Sequence, residues 1–409
     1  METGVWISLA AYFLLMLAIG VYAWKKSTSN SEEYMLGGRD LSPSVAALSA
    51  GASDMSGWLL LGLPGALFVS GLSQSWIGIG LVIGAWLNWL IVAPRLRQQT
   101  EEYDNSLTIP GFLGNRFPSQ AVLLRIVSAV VIVVFFSVYT ASGLVGGGKL
   151  FASAFGGDYM TGVVITLGVV LVYTVMGGFL AVSLTDFVQG CIMMLALVIM
   201  PIVILTTQGG AGVDQAAARL TAIDPDYLSM FKGVTLLGWI SAMAWGLGYF
   251  GQPHIIVRFM AVRSVKDVPT ARRIGMSWMI VSLIGAIAVG IFGRAYAERT
   301  GLQVTDPETI FIMLSDLLFH PLVTGFLYAA LLAAIMSTVS SQLLVASSSL
   351  TEDIYLTVFK RNATERELVN VGRLAVLAVG AVAVLLASNR KSWVWSPMPG
   401  PVSAPPSVR

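Results

Sequence analysis

Asp54 is the one charged residue between Asp40 and Arg95, and it stands inside the run Leu48-Ser-Ala-Gly-Ala-Ser-Asp-Met-Ser-Gly-Trp58. The surrounding stretch is apolar enough to lie in hydrocarbon. There a carboxylate is costly unless it is paired, hydrated or close to a cation. The chemistry open to such a group is to hold a cation or a proton, with a neutral carboxyl hydrogen-bonded between helices as the plainer alternative. Its neighbours Ser49, Ala50, Gly51, Ala52, Ser53, Ser56 and Gly57 are small, which lets a helix open and turn carbonyls toward a ligand. The same small residues also suit close helix packing.

Two other segments share this character. Trp245-Gly-Leu-Gly-Tyr-Phe-Gly-Gln-Pro253 places three glycines and a proline in an aromatic stretch, and paired interrupted helices mark places where ions and solutes bind. The rings of Trp245, Tyr249 and Tyr139 suit a compact, partly apolar solute, or serve as packing and interfacial aromatics. In Ala333-Ala-Ile-Met-Ser-Thr-Val-Ser-Ser-Gln342 the hydroxyls of Ser337 and Ser341 share a face at i and i+4. They provide neutral oxygen ligands for a hard cation, or bond the carbonyl one turn back. Gly143-Leu-Val-Gly-Gly-Gly-Lys149-Leu150 lacks the Ser or Thr and the preceding strand of a phosphate loop, and reads as a flexible helix end. Cys191, His254 and His320 are the complete set of cysteines and histidines. They are too few and too scattered for a zinc site or a nucleophilic centre, so an enzyme is not expected.

The elements that position these residues must be membrane helices. Of 409 residues, 56% are hydrophobic and 11% charged, whereas a soluble domain carries roughly a quarter charged. A net charge of +2 without a basic cluster excludes a nucleic-acid partner. Ten apolar segments are long enough to span: 5–24, 43–70, 75–94, 126–152, 160–178, 186–207, 233–255, 275–293, 322–350 and 368–388. Sixteen Lys and Arg fall in the odd connections and five in the even ones, which puts the odd loops in the cytoplasm and the N-terminus outside. The first segment has basic residues after it and none before, the reverse of a signal peptide.

Leu48 to Gly65, Tyr139 to Gly143, Gly177 to Gln189, Trp245 to Arg258 and Leu332 to Tyr355 resemble the matching segments of the sodium:solute symporter family, and within it the bacterial proline branch. The resemblance implies an all-α polytopic membrane fold: two inverted five-helix repeats preceded by one extra helix, with the last core helix missing here. It implies sodium as the coupling ion and no other cofactor. The ion would be held by carbonyls of Ala52, Met55 and Ala334 and hydroxyls of Ser337 and Thr338, with Asp54 beside it. L-proline would bind against Ser56, Gly57, Trp58, Tyr139, Trp245 and Tyr249. Cytoplasmic Arg39, Asp186 and Arg258 would couple or gate. The setting implied is a bacterial cytoplasmic (inner) membrane, with proline, sodium and the lipid bilayer as partners and the oligomeric state left open. A non-transporting fragment and a symporter of another small organic solute are the alternative readings.

Residues 1–388 form the membrane domain on this reading. The tail 389–409 holds five of the sixteen prolines and cannot be a membrane helix. Codons permitted for Arg390 to Arg409, read two nucleotides later, can spell a segment that looks like the family's next helix, so a frameshift just before Arg390 is expected. Sequencing the locus tests this. A downstream sequence that encodes no such helix in another frame disproves it.

Overall fold

The structure, a computed structural model, is described for residues 2–26, 29–207 and 212–388. The tail 389–409 lies outside these residues. Regular structure among them is helical, with one isolated bridge between Leu41 and Val262. The helices that matter here are α1 (Thr3–Lys26), α2 (Pro43–Met55), α3 (Gly62–Ser70), α4 (Ser75–Leu87), α5 (Ala121–Phe155), α6 (Tyr159–Thr206), α7 (Leu236–Ala244), α8 (Pro253–Ala261), α9 (Val268–Thr300), α10 (Pro321–Ser348) and α11 (Glu365–Ser388). Each of the ten segments read from the sequence falls mainly on helix.

Seven helical stretches are long and apolar enough to cross a membrane. One of them, α6, is two legs. Gly20 of α1 presses on Tyr173, and Gln189 donates to the Tyr12 hydroxyl at 2.8 Å. The α1 positions are eight residues apart, about 12 Å, whereas those on α6 are sixteen apart, about 24 Å in a straight helix. The chain folds back between them at Gly178, whose φ of 52° and ψ of −140° no other residue adopts cheaply. A Cβ there would also stand 2.4 Å from the Tyr34 carbonyl oxygen.

Two other spans are interrupted. The second is α2, a 3-10 turn over Gly57–Leu59, then α3. The seventh is α7, a 3-10 stretch over Trp245–Gly251, then α8. These two broken spans lie five apart, each opening a run of helices. At the centre runs α10, with 83% of its apolar window buried, against 22% to 61% for the other long stretches. Its Ala- and Ser-rich surface lets α1, α5 and α6 approach it closely.

Three sequence boundaries need correction. The seventh span does not stop near 255 but continues to Ala261, so Arg258 belongs to a helix and not to a loop. Asp186 likewise sits inside the second leg of α6. Gly143 to Leu150 is an ordered part of α5, its Gly147 and Gly148 packed against Thr166 and Tyr159.

The third span meets the broken seventh closely at its glycines. A Cβ on Gly84 would lie 2.1 Å from the Gly246 carbonyl oxygen, and one on Gly246 would lie 2.1 Å from that of Gly80. Gly84→Ala should therefore destabilise by about 1–3 kcal/mol through overpacking. Gly168→Ala, which meets nothing within 4 Å, should be neutral or slightly stabilising. Thermal unfolding of the two variants in detergent checks the contrast; equal melting temperatures would refute it.

Candidate functional site

The break in the second span is built at Ser56. Its φ of 49° is rare for a residue with a side chain. The Ser56 hydroxyl accepts the Trp58 N–H at 3.2 Å and seeds the 3-10 turn. With the α-helical ladder ended, the last carbonyls of α2 are free to turn outward. The Ser337 hydroxyl of α10 donates to the Ala52 carbonyl at 2.8 Å and lies 3.3 Å from that of Ala334, which Thr338 also meets at 3.3 Å. Ala52, Ala334, Ser337 and Thr338 thus converge at a buried junction between the broken helix and the central one. Met55 is buried at the end of α2, one residue before the break.

Asp54 points elsewhere. Its carboxylate accepts the Tyr249 hydroxyl, which joins the two broken helices. Both line a cavity of about 20 Å³ together with Met55, Asn88, Trp89 and Met279. That volume is room for roughly one water. Asn88 opens a π-turn, Asn88–Val92, and its amide donates to the Tyr249 carbonyl at 3.0 Å, satisfying backbone that the 3-10 stretch left bare.

The residues expected around a solute are only partly gathered here. Tyr139 reaches the Ser56 hydroxyl and stands near Asp54, its ring 6.2 Å from that of His254. Gly57 faces Ile335, and the Trp58 indole lies over Gly62. Trp245 is 50% exposed and does not line the cavity.

Asp186 and Arg258 are not solvated loop charges. Both are wholly buried and paired at 3.1 Å. The Asp186 carboxylate also accepts the Ser49 hydroxyl at 2.7 Å and the Ser341 hydroxyl at 3.3 Å. Arg258 donates to Ser49 at 3.0 Å, to Ser341 at 2.5 Å and to the His254 carbonyl at 2.5 Å. Its guanidinium rests 5.2 Å from the Phe179 ring centre. One ion pair thereby ties α2, α6, α8 and α10 together.

Arg39 belongs to a separate cluster. It donates to Asn105 at 2.8 Å, Thr100 at 3.1 Å, the Ser106 carbonyl at 2.8 Å and the Met260 carbonyl at 3.0 Å. Burial, with the nearby Arg97 charge, lowers its pKa to about 10, which still leaves it charged at neutral pH.

Asn88, Gln189 and Trp278 act in these networks without having been singled out, and Ser49, noted only as a small neighbour of Asp54, joins them. Asn88 carried a usable signal, as the one amide in its apolar span. Trp278, which donates to the Gly190 carbonyl at 2.7 Å, carried none.

Removing one partner of the buried pair strands the other charge. Arg258→Leu should cost about 3–5 kcal/mol, and the double variant Arg258→Leu, Asp186→Leu should melt above that single variant. A double variant melting at or below it would show that the pair is not what the packing depends on.

The pattern of the Sodium:solute symporter family matches residues 34–396. The chain is 60% identical over 379 residues to the "High-affinity proline transporter PutP" of Bacillus subtilis, covering 93% of this chain and 80% of that protein. It is 55% identical over 394 residues to the "Osmoregulated proline transporter OpuE" of the same organism, covering 96% and 80%. It is 53% identical over 387 residues to a "Sodium/proline symporter" of Staphylococcus aureus, covering 94% and 75%. Among solved structures, a Na+-coupled sialic acid symporter in a substrate-bound outward-open state superposes with a TM-score of 0.84 at 20% identity, covering 95% of this chain and 82% of that one. The fold is therefore that of a sodium-coupled symporter, and with the family pattern spanning most of the sequence, this chain is a member of the sodium:solute symporter family and a transporter, not an enzyme.

Proposed function

We propose that this chain couples the entry of sodium to the uptake of L-proline by alternating access across a bacterial cytoplasmic membrane. The face that carries Arg39, Arg97 and Arg263 lies in the cytoplasm and the N-terminus outside. The observation that carries this reading is the 60% identity, over 93% of the chain, to a protein named as a proline transporter.

The geometry is compatible with the following division of roles. At the junction, the Ser337 hydroxyl hydrogen occupies the line between two oxygens that a cation would bridge. When sodium enters, the hydroxyl turns its hydrogen away, and its lone pairs join the carbonyls of Ala52 and Ala334 and the Thr338 hydroxyl. These ligands are neutral, so the ion keeps its charge, and Asp54 supplies negative potential close by. Each charge carried inward gains about 2.3 kcal/mol per 100 mV of membrane potential.

Proline cannot fit beside Asp54 and Tyr249 in a cavity of about 20 Å³. Its entry has to part the two broken helices and open the Asp54–Tyr249 contact. Ser56, Gly57, Trp58 and Tyr139 on the outer side of the break then face the solute, with Tyr249 beneath it. Sodium at Ala52 favours the open end of α2 and so links ion binding to solute binding. The Asp186–Arg258 pair and the Arg39 cluster close the cytoplasmic side and have to loosen before release.

Radiolabelled proline uptake into proteoliposomes tests the reading. An inward sodium gradient should drive accumulation, and replacing sodium by choline should stop it. Proline binding without uptake would point to a non-transporting fragment, and sodium-driven uptake that excess proline does not inhibit would point to another solute. Asp54→Asn keeps a partner for Tyr249 but removes the charge, and should abolish sodium-driven uptake. Ser337→Ala should raise the external sodium needed for half-maximal uptake at least tenfold. An unchanged sodium requirement would remove Ser337 from the ion site.

A further inference from the structure

Past the Asp186–Arg258 pair, α10 runs on toward the basic face and ends in a widened π-turn, Ser349–Phe359, which carries two neighbouring acids, Glu352 and Asp353. Asp353 is wholly buried. Its Oδ1 accepts the Thr108 hydroxyl at 3.0 Å, and Thr108 accepts the Gly111 N–H at 2.9 Å, capping the helix Ile109–Arg116. Its Oδ2 has no hydrogen-bond partner, and neither has the buried Oε1 of Glu352. Arg125 is the nearby cation for both acids, yet its guanidinium is engaged by Asn115 at 2.6 Å, and Glu365 adds a further negative charge beside Glu352.

Thr108 also lines a narrow cavity of about 10 Å³ whose other walls include Pro253 and Val257 of α8 and Val345 and Ser348 of α10. This gap runs between the inner part of the broken seventh span and the helix that bears Ser337. Asp353 therefore stands beside this gap through Thr108, sixteen residues or about 24 Å along the same helix from Ser337, with the Asp186–Arg258 pair at Ser341 between them.

Buried carboxylate oxygens without donors call for a cation or a proton. Two acids on one turn, beside a gap walled by neutral residues, suit a small monovalent cation. The widened turn leaves carbonyls able to complete its oxygen shell. We propose that Asp353 Oδ2 and Glu352 Oε1 form a release-side cation site, occupied by sodium on its way from the Ser337 junction to the cytoplasm. The proposal rests on the sodium-coupled reading above.

The test measures how sodium inside proteoliposomes inhibits initial proline uptake at fixed external sodium. Asp353→Asn should raise the internal sodium for half-inhibition at least fivefold and leave the external half-saturation within twofold. Glu352→Gln should shift the same value in the same direction by at least threefold, and it decides the matter if the Asp353 variant does not reach the membrane. Thr108→Ser keeps the donor to Asp353 and the helix cap and should change the internal value less than twofold. An unchanged internal value in the acid variants overturns the site, as does a Thr108→Ser shift equal to that of Asp353→Asn, which would mark a packing defect.

A second readout does not depend on transport. In Ser337→Ala protein without proline, the sodium-induced rise in melting temperature should vanish on adding Asp353→Asn, and its full retention overturns the site. Wild-type protein that shows no sodium-driven uptake would sink the transport reading, while this melting shift still decides the cation site.

Discussion

Hydrocarbon offers a bare peptide group no hydrogen-bond partner, so a chain that crosses it either stays helical or hides every departure from the helix inside the protein. The first interruption here obeys that rule, and the second obeys it in part. The turn after Met55 is closed by the Ser56 hydroxyl and faces α10. In the Trp245–Gly251 stretch Gly246 and Tyr249 are buried against α4 and one carbonyl takes the Asn88 amide, whereas Gly248 and Gly251 are exposed. Backbone that the helix no longer satisfies becomes the material of the binding site. The rest of the fold, from the enclosed α10 to the glycine contacts around Gly84, shields the first break and the buried side of the second.

Charge follows the same logic. Buried ions are tolerated where geometry supplies several partners at once. Asp186 has Arg258 and two serine hydroxyls, and Arg258 in turn has a carbonyl and an aromatic face. Asp54 has one protein partner, Tyr249, and a small cavity. The first arrangement is a structural clasp, while the second leaves the carboxylate free to respond to what enters.

Much of this was legible in the sequence because hydropathy and charge placement are read directly from residue types. The positions of Asp54, of the two interrupted spans and of the Ser337 hydroxyl followed from local composition, whereas the pairing of Ala52 with Ser337 came with the family resemblance. What escaped depends on three-dimensional contact. Arg258 looked like a loop charge, since nothing in its neighbourhood reveals that α8 continues to Ala261 or that Asp186 waits across the bundle. Trp245 looked like a pocket aromatic, but a helical position one residue from a glycine fixes no direction, and it faces outward. Asn88 stands out as the one amide of its apolar span, but its role, capping a carbonyl 161 residues away in the chain, depends on a contact that no local pattern specifies.

The reversal at Gly178 has a consequence for how the chain enters the membrane. Among the odd connections, the third carries no Lys or Arg, and the structure shows why: the turn is a single glycine pressed against the Tyr34 carbonyl, with no loop on which a charge could sit. A connection without a polar loop cannot hold one leg back at the surface while the other crosses. The two legs of α6 must therefore enter the bilayer together as a helical hairpin, their orientation dictated by the basic connections before and after them.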